Sequence, residues 1–249
     1  MISEPFATGA SCIHKLDPRV RIVFATIYSV VVALAGDFTV LPAAVALSAA
    51  MVVLSGLDLR LVAKRMLVVN GLVFLLWVIL PLTFGGAVFL KIGPFSIYRP
   101  GLILAAQITL KSNAILLAFI ALVATMTLST LGYALDRLRL PKKMVNLFLM
   151  TYRYIFVIEQ EYQRLIRAAK IRGFVPKANL HTYRTYAYVV GMLFVRAAAR
   201  ADRVYRAMLC RGFKGRFYCL HEFRIDGRGW IFSAAMTGII IGFIFLESC

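Results

Sequence analysis

The residues best suited to recognition chemistry lie in two stretches, RAAKIRGF at Arg167–Phe174 and RAMLCRGF at Arg206–Phe213. Both read R-A-x-x-x-R-G-F, and the second repeats the first at an offset of 39 residues. At the same offset Arg164 pairs with Arg203, and Lys177 is matched conservatively by Arg216. Arginine offers a planar fork of donors that fits a carboxylate through two parallel hydrogen bonds. A cation at the end of a helix complements the helix dipole, and a following glycine permits the left-handed turn that stops it. Each stretch therefore reads as a basic helix tip. Arg172 and Arg211 are the candidate binding cations, flanked by Ile171 and Cys210 before them and by the helix-ending Gly173 and Gly212 after them. Arg167 and Arg206 add charge, while Ala168 and Ala207 are small enough to let another backbone cross closely. Two matched tips imply two equivalent acceptors, such as a two-fold symmetric partner.

Other chemistries have less support. No phosphate-binding loop of the G-x-x-x-x-G-K-[ST] kind is present; RGFKGR at Arg211–Arg216 has the residue types without the spacing. His14, His181 and His221 are far apart, and Cys12, Cys210, Cys219 and Cys249 form no C-x-x-C pair. The sequence thus assigns no catalytic residue and no metal ligand, and it predicts free thiols. Tyr183, Tyr186, Tyr188, Tyr205 and Tyr218 read as interfacial packing of amphipathic helices, and no nucleic-acid recognition motif accompanies the basic charge. Two rival readings of a membrane chain are a lipid- or prenyl-modifying enzyme and a stand-alone carrier. The enzyme needs an acidic cluster such as D-D-x-x-D, whereas the six acids between Thr130 and Arg228 are scattered. The carrier needs polar or broken helices in most spans, and only Lys111 with Gln107 and Asn113 qualifies.

The elements that must position the tips follow from hydropathy. Of 249 residues, 61% are hydrophobic, above the roughly 45–50% of soluble domains. Apolar runs occupy Ile22–Ala35, Phe38–Leu54, Met66–Phe84, Leu102–Leu128 and Trp230–Leu246. A spanning helix needs about 20 apolar residues, so the chain reads as an all-α polytopic membrane protein with about five transmembrane helices. Asp17 and Pro18 suit the start of the first helix, and Gly36–Asp37 the turn after it. Gly85–Gly101, rich in glycine, proline and aromatics, reads as an interfacial loop. No cleavable signal is evident before Arg21.

Between the fourth and fifth runs lies the basic part. Residues Thr130–Arg228 hold 20 of the 29 lysines and arginines against six of the 11 acids. Pro141 fits a helix start, and Met144, Phe148, Tyr152, Ile155, Ile158, Tyr162, Leu165 and Ala169 follow at helical spacing toward the stop at Gly173 and Pro176. A second long helix runs from about Thr182 to Arg211, with FVPKANLH as the turn between. The chain thus divides into residues 1–129 with four spans, 130–228 with two long amphipathic helices, and 229–249 with the last span. Positive charge is retained on the cytoplasmic side. Lys15, Arg19, Arg21, the Arg60–Arg65 cluster and the basic block share one side if the N-terminus is cytoplasmic, with Lys91 and Arg99 as exceptions. Anionic lipid headgroups or an acidic partner suit such a block.

HKLDPRVR at His14–Arg21, the paired Arg-Gly tips and the plan of four spans, a basic helical insertion and a final span resemble one family. It is the transmembrane T component of energy-coupling factor transporters, most closely the CbiQ-type component of cobalt or nickel uptake systems. The resemblance covers essentially the whole chain. In that family each tip is an Ala-Arg-(Gly/Ser)-like triplet that docks into a groove on one of two ATP-binding cassette subunits. The matching triplets are Ile171-Arg172-Gly173 and Cys210-Arg211-Gly212, both departing from alanine at the first position. The resemblance implies a non-catalytic subunit in a bacterial or archaeal cell membrane, with ATP and magnesium held by the partner ATPases. It also implies a separate substrate-binding membrane subunit that selects the metal. Lys111, with Gln107 on the same helix face, either snorkels to the outer headgroups or contacts that subunit.

Overall fold

A computed structural model of the chain describes residues 11, 13–14, 16–38, 40–83, 88–92, 95–215 and 227–248. Lys15, Cys12, Arg216, Tyr218, Cys219, His221 and Cys249 therefore lie outside the described residues. The described chain forms eight helices and one short hairpin: α1 (Pro18–Leu34), α2 (Val40–Leu54), α3 (Leu59–Thr83), β1 (Val88–Ile92), β2 (Phe95–Tyr98), α4 (Arg99–Leu122), α5 (Leu128–Arg137), α6 (Lys142–Ile171), α7 (Leu180–Cys210) and α8 (Gly227–Ser248). It is an all-α polytopic membrane protein. Two compact units hold these elements, one made of α1–α4 and α8, the other running from Gly132 through α7.

In the first unit α3, α4 and α8 are long and apolar enough to cross a bilayer. α1 and α2 have 17 and 15 residues. At 1.5 Å per residue they reach about 25 and 22 Å, short of a hydrocarbon core of about 30 Å. α1 begins as its sequence predicts: Pro18 opens the helix, and the Asp17 carboxylate accepts a hydrogen bond from the Arg19 amide at 2.9 Å.

Helix packing here depends on small residues. Ala25, Ala44, Ala114, Ala118 and Ala121 are fully buried, and around them pack Tyr28, Leu122, Met236 and Phe243. Lipid is as apolar as leucine, so helices in a membrane gain by close approach of their backbones rather than by escaping water. Tyr28 donates its hydroxyl to the Ala44 carbonyl at 2.8 Å, tying α1 to α2. Gly101 makes the closest approach: a Cβ there would lie 2.6 Å from the Leu80 carbonyl oxygen, at the end of α3.

Two cations tie α1 to α4 reciprocally. Arg21 is 2% exposed and donates through Nε to the Leu122 carbonyl at 2.9 Å, and through Nη2 to the Thr125 hydroxyl. Lys111 donates to the Ala33 carbonyl at 2.9 Å, and Gln107 to the Gly36 carbonyl at 2.9 Å. Each helix of this antiparallel pair thereby supplies donors to carbonyls at or just beyond the C-terminal end of the other, where a helix runs out of amide donors. Glu247 completes the apex by accepting from the Gly36 amide at 2.9 Å. Lys111 sits 12 residues beyond Arg99, about 18 Å along α4. Protein groups thus satisfy the backbone of this turn, the condition under which non-helical chain is tolerated within hydrocarbon.

Two elements differ from the sequence expectation. Part of the Gly85–Gly101 segment is an antiparallel hairpin, pairing Val88 with Tyr98 and Ile92 with Phe95, with an irregularity between Val88 and Leu90. The apolar run that starts at Leu102 is not one helix to Leu128. It stops at Leu122, and α5 restarts at Leu128 with the Thr127 hydroxyl accepting from the Thr130 amide at 3.2 Å. That threonine opens α5 within a stretch, Ile115–Leu128, that carries no charge, glycine or proline, so periodicity passes over the break.

Gly101→Ala should destabilise the purified chain by about 1–3 kcal/mol, the usual cost of forcing atoms into a filled contact. Gly242→Ala, where a Cβ meets nothing within 4 Å, should not. Thermal unfolding in detergent compares the two; equal midpoints contradict the packing role.

Candidate functional site

The second unit presents α6 and α7, 30 and 31 residues long. Both end in the same way. After α6, Arg172 is the C-cap and Gly173 has φ +84°. The Phe174 amide donates back to Ala169 at 3.1 Å and the Gly173 amide to Lys170 at 3.0 Å. After α7, Arg211 is the C-cap and Gly212 has φ +76°, with Phe213 donating to Met208 at 3.0 Å and Gly212 to Leu209 at 2.9 Å. This pair of backward hydrogen bonds is the Schellman closure, and its positive φ strongly favours glycine. The repeated sequence thus folds twice into one local structure.

The closure turns the chain away directly after the arginine. Arg172, Gly173, Arg211 and Gly212 are exposed, and Ile171 is 87% exposed. Cys210 is a free, exposed thiol at the equivalent place. The phenylalanines that follow fold inward. Phe174 meets Tyr186 edge-on at 5.8 Å and His181 at 6.3 Å, and Phe213 lines a cleft between the helices. Each tip is therefore a guanidinium held out to solvent with an aromatic anchor beneath it. Arg167 and Arg206 stand exposed one turn back.

The tips lie at opposite ends of an antiparallel pair. Phe174 sits over the start of α7, while Arg211 and Lys214 share a recess with Met150 and Arg153 in the first half of α6. Asn146 donates to the Gly215 carbonyl at 2.9 Å, fastening the chain after the second tip to the start of α6. Gly132 of α5 abuts Leu149, where a Cβ would lie 2.5 Å from the leucine side chain.

Glu161 joins the two helices midway. It is buried, and its carboxylate accepts from Arg196 and is flanked by Arg164 at 3.5 Å and Arg200 at 3.9 Å. The Arg196 hydrogen bond lowers its pKa from the ordinary 4.5; desolvation opposes this, and the charges of Arg196, Arg164 and Arg200 add to the lowering. Ala168 and Ala207 are exposed, and α6 and α7 meet at Glu161, where an ion cluster joins the helices through long side chains.

Beyond Glu161 the helices enclose a cleft of about 590 Å³ lined by Leu147, Tyr154, Ile158, Val204, Met208 and Phe213 among others. The apolar stripe expected along α6 is open in part: Met144, Ile155 and Ile158 are 62%, 43% and 47% exposed, while Phe148, Tyr152, Tyr162, Leu165 and Ala169 are half-buried. Lys111 and Gln107 belong to the other unit, where they are engaged with α1. His14 is bonded to the Ser11 hydroxyl at 2.6 Å, and His181 packs on Phe174. Sequence reasoning missed Glu161 and Arg21. The signal available was weak, an acid among arginines on α6 and a basic residue one turn inside a membrane helix.

Residues 9–219 match the family model CbiQ, described as cobalt transport protein. Similar curated proteins carry the name energy-coupling factor transporter transmembrane protein EcfT. The one from Leuconostoc gelidum subsp. gasicomitatum is 26% identical over 260 residues, covering 98% of this chain and 96% of its own. That of Bacillus subtilis is 24% identical over 265 residues, covering 100% and 96%. That of Macrococcus caseolyticus is 28% identical over 234 residues, covering 86% and 85%.

A carboxylate with a lowered pKa stabilises the fold above the ordinary carboxylate range and loses that contribution only as pH falls through its lowered value. The α6–α7 pairing should therefore persist as pH is lowered to 4.5 and weaken only below it. Energy transfer between dyes on the two helices reads this. The low-pH step should vanish in Glu161→Gln, and a step unchanged in that variant would assign it to other groups.

Proposed function

The chain belongs to the CbiQ family of cobalt transport proteins, and from that membership we propose that it is the transmembrane coupling component of an ATP-driven energy-coupling factor importer for cobalt or nickel. It has no catalytic role of its own. It binds two ATP-binding cassette subunits, which hold ATP and magnesium, and a separate membrane subunit that selects the metal. It sits in the cell membrane of a bacterium or archaeon, its N-terminus cytoplasmic, in contact with membrane lipid.

The pair of identical Arg-Gly closures carries this reading. Each holds one guanidinium out from a helix end. An acidic groove on each of two equivalent ATPase subunits would accept one fork, in the bidentate geometry that arginine favours. The tips terminate long helices, so movement of the grooves on ATP binding is delivered as movement of α6 and α7. The first position of each triplet, Ile171 or Cys210, is exposed, so either side chain is compatible with docking. Lys111 and Gln107 are committed to α1, so they support contact with the substrate subunit only through the apex they hold together.

Replacing Arg172 and Arg211 together with glutamate should cut co-purification of the ATPase subunits at least about tenfold, because each reversed charge faces an acidic groove. Each single replacement should leave partial retention. Full co-purification of the double variant in a detergent pull-down sinks the docking role.

A further inference from the structure

The 39-residue repeat extends from sequence into contact geometry. Phe174 packs on Tyr186 at one end of the α6–α7 pair. Phe213, its repeat equivalent, shares a cleft wall with Leu147 at the other end. Leu147 and Tyr186 are themselves 39 residues apart, so the repeat carries the Phe174–Tyr186 contact at one end onto the Phe213 and Leu147 positions lining the cleft at the other. An antiparallel pair with this property has a local two-fold axis, which passes where a residue meets its own equivalent. That residue is Glu161: its equivalent is Arg200, and their charged groups lie 3.9 Å apart.

The axis explains the chemistry of this position. At a two-fold axis a true repeat sets like against like, and two glutamates or two arginines there would repel. Here the two copies carry opposite signs, and Arg196 adds a second cross-helix partner to the same carboxylate. Each arm is then of equal length. Arg172 lies 11 residues beyond Glu161, and Arg211 lies 11 residues beyond Arg200. That is about 16 Å of helix rise on each side.

We infer that Glu161 is the pin of this lever pair: sitting on the local two-fold axis, hydrogen-bonded to Arg196 and ion-paired with Arg200, it positions the two arginine tips and fixes the span between them. It is a positioning residue, acting through the helices and touching neither nucleotide nor substrate. The importance of the span to transport rests on the coupling reading above, whereas the span itself is a property of the chain alone.

The test uses the full chain in lipid nanodiscs. Spin labels are placed on the native Cys210 and on Ile171→Cys, with Cys12, Cys219 and Cys249 replaced by serine. Pulsed electron–electron resonance should give one narrow distance distribution centred between about 25 and 40 Å, given two opposed arms of about 16 Å each. Glu161→Ala should broaden it about twofold or more, with helix content unchanged, because three arginines lose their shared partner. Glu161→Asp should restore the narrow distribution, and Arg164→Ala, which removes only a same-helix partner, should leave it narrow. An unchanged width in Glu161→Ala overturns the pin. Should that variant fail to fold, Arg196→Met with Arg200→Met removes both cross-helix partners, and a narrow distribution there overturns it equally. If the span broadens while glutamates at the tips leave ATPase retention intact, the pin stands and the coupling reading falls.

Discussion

An α-helix leaves its last four carbonyls without a donor of its own, and hydrocarbon supplies no water in their place. Much of this chain is arranged around that deficit. In the membrane unit the donors are long cationic and amide side chains: Arg21 reaches the end of α4, and Lys111 and Gln107 reach the end of α1. In the α6–α7 unit the donors are backbone amides folded back on themselves, and the arginine that stands at the closure is released to solvent. The same requirement thus buries cations in one unit and presents them in the other.

The reciprocal caps also determine which helices can be short. α1 and α2 end within the length of α4, and their apex is acceptable at that level because Gln107, Lys111 and Glu247 meet its backbone groups. Small residues then let the helices close: Ala114 and Ala118 are fully buried on α4, and Ala25 and Ala44 face the same core. Capping and close packing reinforce each other, since a cap of about 3 Å requires a neighbour already near.

Much of the architecture is legible in the sequence because it follows local rules. Asp17-Pro18 announces α1, and each Arg-Gly-Phe announces a helix end, since backbone closure depends on a few adjacent residues. Hydropathy locates the five apolar runs, of which three form helices long and apolar enough to cross a bilayer. What could not be read depends on contacts distant in sequence. Arg21 looks like one more topology-setting charge until Leu122, 101 residues away, comes beside it. Glu161 looks like a solvated helix acid until α7 folds against it. The break before α5 depends on one threonine cap inside an apolar run, and the hairpin at Val88–Tyr98 on pairing that a short glycine- and proline-rich segment does not advertise.

The equal arms of α6 and α7 bear on how the gene can change. An α-helix turns about 100° per residue, so one residue inserted between Glu161 and Arg172 would swing that guanidinium to another face while leaving its partner unmoved. Substitutions along the exposed faces of these helices disturb no such phase. A residue added between Gly173 and Asn179 would instead alter neither arm.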